Sequence, residues 1–68
     1  MSTEITVGAT VRVRPEATMR GRANETGTVL SYYDDIVGVD FGDGAGWTTS
    51  DGTFEGVLFR TRELEVIA

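Results

Sequence analysis

Phe59-Arg60-Thr61-Arg62-Glu63-Leu64-Glu65-Val66-Ile67 decides how this chain is read. Residues 60–63 have room for one short helical turn, and residues 64–67 then form a brief strand that places Leu64 in a core. Working outward, every earlier segment has strand character too. Residues 10–14 alternate branched apolar side chains with arginine, so Val11 and Val13 face inward and Arg12 and Arg14 outward, until Pro15 stops the run. Residues 27–33 and 36–41 are β-rich and separated only by Asp34-Asp35, the pattern of a tight hairpin. Val37, Val39 and Phe41 share one face of the second run. Gly38 lies on the other face, where the missing side chain admits close approach of another strand or a partner. A fourth strand is expected over residues 53–59, entered through the turn signal Asp51-Gly52.

Between these runs lie two loops. Residues 16–25 show no periodicity and read as a long polar loop, with Met19 folded back onto the core. Residues 42–52, rich in Gly, Ser and Thr, read as a second loop that carries the only tryptophan, Trp47. No segment repeats apolar residues at 3.6-residue spacing, so the expected class is all-β: a small five-stranded barrel of 68 residues in a single domain, with residues 1–6 as a flexible tail. Val11, Val13, Val29, Val37, Val39, Phe41 and Leu64 are its expected core.

A domain of this size buries only about 60% of the surface its unfolded chain exposes. With no cysteine there is no disulfide or zinc cluster to staple it, so closure of the sheet or oligomerisation is the available remedy. The start of the chain lacks the pattern of a signal peptide and no apolar run is long enough to span a bilayer. The expectation is a soluble, cytoplasmic protein with no membrane span.

Charge is distributed unevenly. The net formal charge is -5, residues 23–59 carry acids and no base, and the arginines cluster toward the two ends. That middle should repel phosphate, which makes nucleic acid the less favoured partner and a basic protein surface the better one, unless the acids simply solvate the surface. The chain has no His, Cys, Lys or Gln, which removes most of the side chains that do acid/base, nucleophilic or transition-metal chemistry near neutral pH. Its all-Arg, Gly-rich, Lys-free usage leads to the expectation of a phage gene or a GC-rich genome.

On these residues the chain resembles the SH3-like small β-barrels. Gly8 to Val13, Gly27 to Val29, Val39 to Phe41, the glycine-rich residues 42–52 and the closing Phe59 to Val66 are most similar to the photosystem I reaction-centre subunit IV family. That resemblance implies a non-catalytic accessory subunit whose first and last strands lie side by side. Residues 37–41 and 50–59 resemble the CAP-Gly domain locally, with Thr49-Ser50 and Ile36 where that family has Lys-Asn and Trp. Gly21, Gly27 and Val29 resemble the KOW motif, whose nucleic-acid role would fall here to Arg12, Arg14, Arg20 and Arg22.

No catalytic site, metal site or cofactor is expected. Gly42-Asp43-Gly44-Ala45-Gly46 lacks the lysine and following helix of a phosphate loop. Asp40, Asp43 and Asp51 are hard oxygen ligands without the spacing of a calcium loop, and Asp34 and Asp35 point apart on a hairpin tip. Trp47 is either an interface anchor or a lid over the core. Tyr32 and Tyr33 should point to opposite faces, one of them exposed beside Trp47. If the first and last strands are neighbours, Arg12, Arg14, Arg60 and Arg62 form one basic patch suited to a partner's carboxylates, unless they pair with the protein's own acids. The expected function is therefore a non-enzymatic protein-interaction module acting as an accessory or regulatory subunit, with a KOW-like nucleic-acid contact protein as the alternative.

Overall fold

A computed structural model describes residues 5–17 and 21–68. Met19 and residues 1–4 of the expected tail lie outside the described residues. Six antiparallel strands follow one another: β1 (Thr10–Val13), β2 (Thr26–Tyr33), β3 (Ile36–Asp40), β4 (Trp47–Thr48), β5 (Phe54–Arg60) and β6 (Leu64–Val66). They assemble in the order β4-β5-β3-β2-β1-β6, an open order with β4 and β6 at its two ends. A single 3-10 turn, Thr61–Glu63, is the one helical element among the described residues. The extra strand corrects the expected count of five, since Trp47–Thr48 pairs with β5 inside what reads as a loop.

Period-2 alternation forms the core as expected for Val11, Val13, Val29, Val37, Val39 and Leu64, all buried. Phe41 is only partly buried, because it sits just past the end of β3 and packs edge-on against Phe59 from the rim. Phe59 itself is buried. So is Ile5, within the segment expected to be a flexible tail.

The first and last strands are neighbours: β1 pairs with β6 through Val11 opposite Val66, Arg12 opposite Glu65 and Val13 opposite Leu64. The β2–β3 hairpin turns at Asp34 and Asp35, with Asp34 in the left-handed region at φ 60°. Its register slips at Leu30, between Val29 opposite Val39 and Ser31 opposite Gly38. Gly38 fulfils the expectation of close approach, because a Cβ there would overlap the backbone of Glu55 on β5.

Candidate functional site

Three short turns shape the chain around Trp47. The Asp40 carboxylate accepts from the Gly42 N–H at 2.8 Å, and the Asp43 carboxylate accepts from the Ala45 N–H at 3.0 Å. Asp51 accepts from the Thr49 hydroxyl and from the Thr53 N–H, while the Thr49 N–H donates to the Thr53 carbonyl at 2.8 Å. These are Asx-type turns, in which a short carboxylate replaces a backbone acceptor. The three aspartates weighed as calcium ligands are thus each engaged in their own turn, and among the described residues no three acids gather around one point.

Gly46, immediately before β4, lies against Gly56 of β5, and a side chain on Gly46 would overlap the Gly56 backbone. That contact positions Trp47, paired opposite Gly56, at the end of the sheet. Trp47 is 54% exposed and takes no part in the core cluster, so it is not a lid. With Gly46, Val57 and Leu58 it lines a hollow of ≈ 310 Å³. Val57 and Leu58 had no functional role in the sequence; only their proximity to Gly56 hinted at an open floor.

Arg22 has a role that sequence reasoning missed. It pairs with Glu25 at 3.0 Å and Asp43 at 2.8 Å and lies over the Phe41 ring, 4.6 Å from its centroid. The Asp43 carboxylate, then Glu25, stabilise the guanidinium and raise its pKa against the opposing effect of desolvation. Asp43 is held below the ordinary carboxylate range by the Ala45 N–H and then by Arg22. Arg22 therefore ties the first polar loop to the glycine-rich loop and covers Phe41, work that leaves it little freedom to meet phosphate.

The terminal arginines divide. Arg12 forms an ion pair of 2.6 Å with Glu65, its direct cross-strand neighbour, and Arg60 pairs with Asp35 at 3.2 Å. Arg14 and Arg62 share a separate hollow of ≈ 330 Å³ with Glu16, Ala17 and Glu63. The expected group of four is thus divided: Arg12 and Arg60 meet carboxylates of the same chain, while Arg14 and Arg62 share a mixed-charge notch and Arg14 also borders Tyr32.

Both tyrosines are exposed, Tyr32 at 42% and Tyr33 at 83%. Their faces do differ, since Tyr32 lies opposite the buried Val37 and Tyr33 opposite Ile36. Tyr32 nevertheless lines a hollow of ≈ 380 Å³ with Ile5, Arg14, Leu64 and Val66, which brings it together with one of the expected arginines. It shares no lining residue with the Trp47 hollow, so the two aromatics do not form one surface.

Comparison with protein-family models, curated proteins and solved structures returns no significant match.

Proposed function

We propose that this protein is a non-enzymatic protein-interaction module, an SH3-like barrel serving as an accessory or regulatory subunit, with Trp47 as its anchor. The antiparallel pairing of the first and last strands and the 3-10 turn before β6 support the SH3-like reading. The observation that carries the functional reading is the exposure of Trp47 beside Val57 and Leu58. A domain of this size needs its large apolar side chains inside, and tryptophan is among the residue types enriched at interface hot spots.

The nucleic-acid alternative is weakened by the engagement of Arg12, Arg22 and Arg60 with carboxylates of the same chain. Affinity capture from host extract on immobilised wild type and Trp47→Ala tests the reading. A protein retained by the first and lost from the second is expected. Retention indifferent to Trp47→Ala overturns the anchor, and recovery of nucleic acid with affinity falling steeply in salt replaces the reading with the alternative.

A further inference from the structure

The segment that carries Trp47 is acidic as well as apolar. Asp40, Asp43, Asp51 and Glu55 lie in the segment that builds the hollow, and no basic residue occurs between residues 23 and 59. Of these four acids, Arg22 pairs with Asp43 alone. Glu55 is the unmatched β5 residue at the slip between Trp47 opposite Gly56 and Thr48 opposite Phe54, which places it directly across from the indole's own strand. Asp51 is held below the ordinary carboxylate range, by the Thr49 hydroxyl first and then by Thr53, so its charge persists under mildly acidic conditions.

From an exposed indole over an aliphatic floor, in a segment whose Asp40, Asp51 and Glu55 have no basic partner among the described residues, we infer that the Trp47 hollow receives an arginine- or lysine-bearing segment of a partner protein. The inference rests on the interaction-module reading and adds the partner's chemistry. A volume near 310 Å³ lies at the small end of the range for ligand pockets and suits one or two side chains rather than a folded surface. A long basic side chain meets all three features at once. Its methylene stem lies against Val57 and Leu58, its cationic head lies over the electron-rich face of Trp47, and the acids supply attraction from outside. An acidic or phosphate-bearing partner would meet repulsion at the same place.

Because Trp47 is the only tryptophan, its own fluorescence reports the site in the unmodified chain. The probes are the end-blocked peptide Gly-Arg-Gly-Arg-Gly and its neutral, near-isosteric citrulline counterpart. We expect a saturable change in emission with the arginine peptide, weakened about tenfold between roughly 50 and 500 mM NaCl as charge is screened, and little response to the citrulline peptide. Glu55→Gln should weaken the arginine peptide about threefold while leaving the fold unchanged by circular dichroism. Equal responses to the two peptides, or no response to either, overturn the inference. The two readings fail separately. A partner that depends on Trp47 but is neither salt-sensitive nor displaced by the arginine peptide overturns the basic-segment inference alone, whereas capture of no protein partner by the wild type overturns the interaction-module reading.

Discussion

Val39 is the residue on which three strands converge. It is fully buried, lies opposite Val29 on β2 and Val57 on β5, and has the Gly56 backbone against its own. Val39→Ala removes two methyl groups from a closely packed position and should cost about 1–3 kcal/mol, read as a lower denaturant midpoint with unchanged slope. An unchanged midpoint would mean that the site relaxes fully. Gly56 is the harsher test. It has φ 80°, and an added Cβ would run into the Val39 backbone, so Gly56→Ala combines left-handed strain with overlap against atoms that cannot rotate away. Its loss should exceed that of Val39→Ala in the same measurement. Period 2 revealed Val39 and its neighbours in the sequence, because half-buried strands alternate. Phe59 escaped that reading, since the left-handed turn at Gly56 breaks the alternation three residues before it. Ile5 escaped because no strand pattern surrounds it.

At the scale of elements, the tip of the β2–β3 hairpin fastens the turn that leads into β6. The Asp35 carboxylate accepts from the Thr61 hydroxyl, from the Thr61 N–H at 3.3 Å and from Arg60, while Glu63 closes the same turn by accepting from the Arg60 N–H at 2.8 Å. The Thr61 hydroxyl, then the Arg60 guanidinium, hold Asp35 below its ordinary value of 3.8. A carboxylate lowered in the folded state binds its proton more readily when unfolded. Its stabilisation is therefore present above the unfolded value and is lost as pH falls through the folded one. Denaturant midpoints measured between about pH 6 and pH 2 should fall in the acidic limb. Asp35→Asn should flatten part of that fall, the remainder belonging to Asp43 and Asp51, which shift in the same direction. An identical limb in the variant would detach Asp35 from acid stability. The hairpin and the helical turn were both legible in the sequence as local patterns, but their joining was not, because 26 residues separate Asp35 from Thr61. β4 was illegible for a related reason: two residues are too few for periodicity, and their pairing depends on the distant Gly46–Gly56 contact. The slip at Leu30 similarly breaks the alternation that leads into the tyrosines.

Across the whole molecule, the charge pattern sets contact attractions against longer-range repulsion. Among the described residues Arg12, Arg22 and Arg60 form ion pairs with Glu65, Glu25, Asp43 and Asp35 at 2.6–3.2 Å, while Asp34, Asp40, Asp51 and Glu55 have no basic partner and the net charge is -5. Exposed pairs of this kind contribute about 0–1 kcal/mol each. Like charges roughly 10 Å apart in water oppose one another by about 0.4 kcal/mol per pair, and several such pairs add. Salt separates the two effects, because a screening length of about 10 Å at 0.1 M, falling to about 3 Å at 1 M, weakens the repulsions far more than contacts at hydrogen-bond distance. The midpoint of thermal unfolding should therefore rise by a few degrees between roughly 20 and 500 mM NaCl, since in a domain this small 1 kcal/mol corresponds to about 4–8 °C. Glu55→Gln, which removes one uncompensated charge without breaking an ion pair, should raise the midpoint by about 1–2 °C at low salt and by less at high salt. A midpoint that falls with salt would show that the arginine pairs outweigh the repulsion. Such a result would make the ion pairs of Arg12, Arg22 and Arg60 together the main electrostatic support of the fold.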